Sequence, residues 1–348
     1  MAVTTSIPII DISAKGTDQA QVAKELVDAA VEYGFVYIRN AGRDISTEQI
    51  ENAFNISRIL FKSPLEDKQR CTIEKNNQGW SGMHSETLDP KTQRVGDFKE
   101  AFNFGPFADN KATQPIPQSI ESHQAQLAAF RGACHDLCRK LLLLFGIGLG
   151  VNPPDFFTAA HEPTKPSGCI LRLLYYPPPS STPTALSSDA RAGAHSDYGS
   201  VTLLFRLRGQ AGLELLDPRT ETWAPVPVVP PGTENDAQPP ILVNIGDLLS
   251  YWTNGLLRST VHRVAFSSTP TDGESVSDPR YSIAYFCHPA DNTPLGPVPS
   301  ERVAAYQPNH ANGNSNPYAE RKVLTAKEHL EMRLRATYLE MYEGDKKE

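Results

Sequence analysis

Gly193-Ala194-His195-Ser196-Asp197-Tyr198-Gly199-Ser200, running on into Val201-Thr202-Leu203-Leu204-Phe205, sets two candidate metal ligands at the mouth of a β-strand. Side chains alternate faces along a strand, so His195 and Asp197 at i and i+2 are expected on one side, able to bind one ion together. An H-x-D triplet alone is a weak signal, because His and Asp are ordinary strand-end residues. The glycines around it and the apolar run after it strengthen the reading. A third ligand, His262, lies in a second β-rich stretch, Ser259-Thr260-Val261-His262-Arg263-Val264-Ala265-Phe266. Two imidazoles and one carboxylate on one face of an octahedron leave the opposite positions open, which suits non-heme Fe(II) that must bind an oxidant and O2. Arg280 and Ser282 are again i and i+2. A planar guanidinium fork and a hydroxyl together make a carboxylate anchor, fit for the distal end of 2-oxoglutarate.

Working outward, short strands broken by Pro and Gly clusters begin at Cys169, with no crossover helices between them. That pattern predicts an antiparallel barrel or a double-stranded β-helix, the jelly roll. Ahead of it, strands are expected at Ile7 to Ile12 and Phe35 to Ile38. Apolar residues three and four apart predict helices from Gln19 to Tyr33, from Glu48 to Phe61 and from Ser119 to Leu149. The fold class is α+β: an α-rich region over residues 1–150 packs on a catalytic jelly-roll region over 151–348, the two making one functional domain. Thr325-Ala326-Lys327-Glu328 reads as a capping box opening a C-terminal helix through Leu330, Leu334 and Tyr338. Such a helix would cover the barrel or pair two copies as a homodimer. Pro177 to Ala192 and Pro225 to Pro240 read as loops, the first being either a substrate lid or a plain solvated loop.

Ile7-Pro8-Ile9-Ile10-Asp11, Tyr33-Gly34-Phe35-Val36-Tyr37-Ile38, Leu171 to Pro178, Asn244-Ile245-Gly246-Asp247-Leu248-Leu249 and Arg280-Tyr281-Ser282-Ile283-Ala284-Tyr285-Phe286 stand in this order along most of the chain. The series resembles the isopenicillin N synthase-like oxygenases, a Fe(II) and 2-oxoglutarate superfamily, and within it the fungal branch that includes thymine 7-hydroxylase. The resemblance implies Fe(II) held by His195, Asp197 and His262, with 2-oxoglutarate and O2 as co-substrates. Succinate, CO2 and hydrogen-atom abstraction by a ferryl species would follow, giving hydroxylation, desaturation or ring expansion. No protein base is required, so no catalytic acid or base is assigned. The family's inward strand implies that Arg172, Leu174 and Tyr176 share the iron side, with Tyr176 beside the co-substrate.

Alternation along the same strand places Phe286 on the face of Arg280, as a substrate-lining ring. Arg172 sits among Leu171, Leu173 and Leu174, so it is either half of an internal ion pair or a hand on the substrate. Tyr198 points away from the site in an ideal strand, but Gly199 permits a turn that swings it back; otherwise it is a core tyrosine. A small planar molecule satisfies these residues. It is read as a fungal secondary-metabolite intermediate or, alternatively, a pyrimidine base. A non-enzymatic metal-binding ligand sensor is the third reading, and it leaves the Arg280 and Ser282 pair unexplained. A rival triplet, His84-Ser85-Glu86, lies among Gly79, Gly82 and Asp89-Pro90 with no strand beside it, and reads as loop.

With 348 residues and 39% hydrophobic content the chain can bury a large core, while a net charge of −7 offers no footprint for nucleic acid. The cysteines Cys71, Cys134, Cys138, Cys169 and Cys287 are odd in number and irregularly spaced, against a disulfide framework and for a reducing compartment. Cys134 and Cys138 share a helix face, but a structural zinc would need two further ligands that the sequence does not place nearby, so they read as buried hydrophobes. No run approaches the length of a membrane span, and the first residues lack a signal peptide's pattern. A cytoplasmic enzyme without nucleic-acid or membrane partners is expected.

Overall fold

The computed structural model describes residues 6–13, 16, 18–89, 92–93, 95–178, 181, 190–265, 278–307 and 323–337. Helices form where apolar residues recur at helical spacing: α1 Gln19–Glu32, α2 Thr47–Phe61, α3 Leu65–Gln69, α4 Gln124–Gly148, α5 Phe156–Ala160, α6 Asp247–Trp252, α7 Glu301–Ala305 and α8 Ala326–Thr337. Local chemistry starts them. The Asp18 carboxylate accepts the Ala20 amide at the head of α1, and Ser46 and Gln49 form a reciprocal capping box at the head of α2. The long helix read from Ser119 divides in two, because Gln118–His123 is a 3-10 helix ahead of α4.

The strands are β1 Ile9–Ile10, β2 Phe35–Ile38, β3 Gly79–Ser81, β4 Glu100–Phe104, β5 Phe107–Ala108, β6 Lys111–Ala112, β7 Ile170–Tyr176, β8 Ala190–His195, β9 Val201–Arg206, β10 Leu213–Leu216, β11 Trp223–Pro225, β12 Ile241–Ile245, β13 His262–Ala265 and β14 Arg280–Cys287. Eight form one sheet in the order β1-β2-β12-β9-β14-β7-β4-β3, and four form a second in the order β11-β10-β13-β8. The α+β jelly-roll class is borne out. The first sheet takes β1 to β4 from the N-terminal region, so the region that carries the helices also supplies strands to both edges of the barrel's larger sheet. Hydrogen-bonded edges need partners, and these strands provide them.

Strand alternation divides the core into two. One face of the larger sheet packs Leu171, Leu173, Ile283 and Tyr285 against α2 and α4 residues such as Leu60, Phe130 and Leu141. The other face turns Leu174, Tyr176 and Ala284 toward Leu213, Leu215 and Val264 of the smaller sheet, forming the barrel interior. Gly34 closes α1 in a left-handed turn (φ +69°), where a Cβ would meet the Arg258 carbonyl and Thr260 Oγ1 at 2.4 Å. The Thr260 hydroxyl donates to the Tyr33 carbonyl at 2.7 Å, so this corner fixes the chain two residues ahead of His262.

The capping box at Thr325 and Glu328 forms, and α8 lies over the open end of the barrel, with Leu330 and Leu334 lining the cleft beneath it. Tyr338, Phe266 and most of the segment 177–192 read as a lid lie outside the described residues.

Candidate functional site

The cleft between the two sheets, its open mouth included, encloses about 1000 Å³ of empty space. At its floor, the donor atoms of His195, Asp197 and His262 all lie within 4.8 Å of one another. His195 is the last residue of β8 and His262 the first of β13, and the two are direct register partners. Asp197 reaches them by a different route from strand alternation. β8 stops at His195, and Asp197 sits in the following loop, where its backbone carbonyl accepts the Asp247 amide at 2.7 Å. The turn at the start of α6, not the pleat, aims the carboxylate.

Hydrogen bonds orient all three side chains. His195 Nδ1 lies 2.7 Å from the Gly193 carbonyl and His262 Nδ1 lies 3.1 Å from the Thr260 carbonyl. A carbonyl only accepts, so each Nδ1 carries the proton and each Nε2 presents a bare lone pair. Both Nε2 atoms stand 3.7 Å from Asp197 Oδ1, while Oδ2 accepts a 2.7 Å bond from Asn244 Nδ2. Burial, with His262 adjacent, pushes His195 down to about 4. Burial alone would raise Asp197, but the two imidazoles and the Asn244 amide hold it below its usual range. Two imidazoles and one carboxylate converging on one point are a donor set that fits Fe(II) and could hold it.

Arg280 lies on the inward face of β14 opposite Tyr176, its guanidinium carbon 4.7 Å from the centre of the Tyr176 ring. Its Nε donates to the Gln210 and Ala211 carbonyls at 3.2 and 3.0 Å. Those bonds orient the fork along the cleft. Ser282, 1% exposed, lies on the same face and also lines the cleft. A carboxylate could be held here by the guanidinium and hydroxyl together.

Arg172, Tyr198 and Phe286 line the same cleft. The Arg172 guanidinium makes a short ion pair with Glu86, the last residue of the triplet read as loop, and Glu86 also ion-pairs with Lys99, Nζ to Oε2 at 3.0 Å. Lys99 in turn makes a short ion pair with Asp97, whose Oδ1 accepts the Gly193 amide at 3.0 Å. Burial opposes the charge on Glu86, but Arg172 and Lys99 hold its carboxyl far below the carboxylate range. Arg172 is therefore half of an internal ion pair while also facing the cleft. Tyr198 lies past the end of β8 beneath Arg333 of α8, whose guanidinium carbon is 5.2 Å from its ring. Arg333 also pairs with Asp247 at 2.9 Å, and Asp247 accepts the Ser196 hydroxyl at 3.0 Å.

Sequence reasoning misses Asn244, Lys99, Glu86, Leu330 and Leu334 as site residues. Asn244 opens the run Asn244 to Leu249 that carries part of the family resemblance, and that run was the available signal. Glu86 stands out only as part of a rival metal triplet, and Lys99 sits in a segment with no periodicity, so nothing local marks either as part of the cleft wall.

Residues 7–136 match the family described as non-haem dioxygenase in morphine synthesis N-terminal, and residues 167–289 match the 2OG-Fe(II) oxygenase superfamily. The chain is 38% identical over 302 residues to the UPF0676 protein C1494.01 of Schizosaccharomyces pombe, covering 85% of this chain and 86% of that protein. It is 32% identical over 299 residues to the 2-oxoglutarate-Fe(II) type oxidoreductase ppzD of Metarhizium majus, covering 78% and 80%. The crystal structure of full-length Neurospora crassa thymine 7-hydroxylase in complex with alpha-KG and thymine superposes with a TM-score of 0.75 at 27% identity, covering 95% of this chain and 96% of that one.

Proposed function

Because the chain belongs to the 2OG-Fe(II) oxygenase superfamily and is a 2-oxoglutarate-dependent non-heme Fe(II) dioxygenase, we propose that it oxidises a small, planar, uncharged organic molecule, a fungal secondary-metabolite intermediate. His195, Asp197 and His262 would hold Fe(II), and Arg280, Ser282 and Tyr176 the distal carboxylate of 2-oxoglutarate. The iron, with 2-oxoglutarate and O2, supplies an oxidant strong enough to break an unactivated C–H bond. Everything else falls to the protein. Asn244 fixes the Asp197 carboxylate so that one oxygen faces the two imidazoles. Leu330 and Leu334 shield the mouth from water, which would otherwise quench the reaction without product.

The observation that carries the substrate class is the balance of charge in the wall. Arg172 and Lys99 are matched by Glu86 and Asp97, all four buried or nearly so. These four charges cancel, so this part of the wall offers no net charge. A neutral molecule with a carbonyl suits it better than an acid, and Phe286 and Tyr198 supply ring faces for a flat one. Hydroxylation, desaturation and ring expansion all begin with the same C–H cleavage. A second reading, a pyrimidine-base hydroxylase, draws on the overall likeness to the thymine 7-hydroxylase in complex with thymine.

Substrate-stimulated succinate formation separates the two. With iron and ascorbate present, neutral planar aromatic or polyketide-type ketones should raise succinate release above the uncoupled rate, and thymine should not. Stimulation by thymine alone would favour the pyrimidine reading. Stimulation only by carboxylic acids would overturn the uncharged-substrate assignment.

A further inference from the structure

A second group of metal-binding side chains lies on the opposite side of the strands that line the cleft. Gly168, Ile170, Phe286 and His288 face the cleft, while the alternating residues Cys169 and Cys287 turn away from it toward α4. Phe286 pairs with Ile170 across β14 and β7, so Cys287 and Cys169 are cross-strand neighbours at the next step of the ladder. His135 of α4 reaches down to them. One ring nitrogen of His135 and the two thiol sulfurs all lie within 4.8 Å of one another. One helical turn on, Cys138 is buried on the same helix and lies near Cys287. All four residues are buried, and all five cysteines of the chain are free thiols.

We propose that His135, Cys169 and Cys287, with Cys138 as fourth ligand, form a structural zinc site that ties α4 to β7 and β14. One imidazole and three thiolates are a ligand set that Zn²⁺ accepts in closed tetrahedral sites. Bond lengths of about 2.0 to 2.3 Å place tetrahedral donors roughly 3.5 Å apart, so the His135, Cys169 and Cys287 donors, within 4.8 Å of one another, need only a small inward movement, and Cys138 would close the fourth position. The surrounding hydrogen bonds suit the ligands. His135 Nε2 is 3.0 Å from the His161 carbonyl, which fixes the proton there and leaves Nδ1 as the ligating atom. Nδ1 now lies 2.9 Å from the Tyr285 hydroxyl, the contact that a metal would displace. Cys169 Sγ donates to the His288 carbonyl at 3.3 Å and accepts from the His288 amide at 3.2 Å; metal binding would release the first proton and strengthen the second bond. Binding releases the thiol protons and changes no oxidation state.

The helix that carries His135 and Cys138 belongs to the N-terminal region, and the strands that carry Cys169 and Cys287 form the back wall of the cleft. A metal here would brace that wall from behind. It would also be distinct from the Fe(II) triad in chemistry, because the triad contains no sulfur.

Cobalt and zinc loading of the full chain tests the assignment without any assay of turnover. The Asp197→Ala variant removes the triad's central carboxylate and leaves the thiol cluster untouched. After exchangeable metal is removed by brief chelation, one zinc per chain should remain in both wild type and Asp197→Ala. Apo protein refilled with Co(II) should show thiolate-to-cobalt charge transfer in the near ultraviolet and tetrahedral d–d bands in the visible. Both should be lost in Cys169→Ser with Cys287→Ser. Should that double variant fail to fold, Asp197→Ala decides alone. No retained zinc, together with no thiolate band in cobalt-loaded Asp197→Ala, would overturn the proposal and leave the cluster as core packing.

Discussion

His195 and His262 face each other directly across the β8–β13 pair, with ring centres 4.4 Å apart. The spacing of the two imidazoles is thus set by the hydrogen-bonded ladder and not by the flexibility of either side chain. The carboxylate of Asp197 depends on something else, a bond from Asn244.

Asn244→Ala should therefore weaken Fe(II) binding by about 10- to 100-fold, the usual effect of removing a partner that orients a ligand. His262→Ala should abolish 2-oxoglutarate turnover altogether. Both variants should remain folded by circular dichroism. Equal iron affinity in Asn244→Ala and wild type, measured by equilibrium dialysis, would remove the positioning role.

Arg280→Lys keeps the charge but loses the fork and the stacking on Tyr176. The apparent KM for 2-oxoglutarate should rise on the order of tenfold, equivalent to one charge-assisted hydrogen bond. An unchanged KM would place the co-substrate elsewhere in the cleft.

Glu86 carries two cations in a buried setting. Glu86→Ala leaves both without their shared carboxylate and should cost about 3–5 kcal/mol in chemical denaturation. Because its folded pKa is depressed, the stability Glu86 contributes is fully present above its ordinary value of 4.5 and is lost progressively as pH falls below that, until strong acid protonates the folded form. A loss below about 1 kcal/mol would mean that the pair is solvated, as exposed ion pairs are.

The strand residues of the site were legible in the sequence because their signals are local. His195, His262, Arg280 and Ser282 sit at strand ends or at i, i+2 spacing, and a period of two can be read from a few residues. Asp197 is legible too, though for a reason that does not hold, since the strand ends before it. The ion pair of Arg172 was half legible. A lone arginine among leucines demands a partner, but nothing in the sequence points to Glu86, 86 residues away in a turn. The zinc candidate fails the same way. Cys134 and Cys138 share a helix face, yet the cysteines gathered around His135 are Cys169 and Cys287, brought in by the sheet register. The C-terminal helix was legible from its capping box, and its place over the barrel was one of two readings that the sequence left open.

His161 is buried between the Phe157 carbonyl and the Ser200 hydroxyl, and burial pushes it down to about 4. The unfolded chain binds that proton near 6.5, so the folded state loses stability as pH falls from about 6.5 to 4. On the order of 3 kcal/mol is at stake for this group. Urea midpoints in His161→Gln should decline less steeply than wild type over that window. Parallel curves would show that His161 titrates normally.

Anaerobic addition of 2-oxoglutarate to the Fe(II)-loaded enzyme, followed in the visible spectrum, tests the central assignment most directly. Chelation of the keto acid by iron in the His195, Asp197 and His262 site gives a metal-to-ligand absorption band. Wild type should develop that band to saturation at one equivalent of iron, His262→Ala should not develop it, and Arg280→Lys should require more 2-oxoglutarate to reach it. A band of full intensity in His262→Ala would contradict the account, because iron and co-substrate would then be held by other residues.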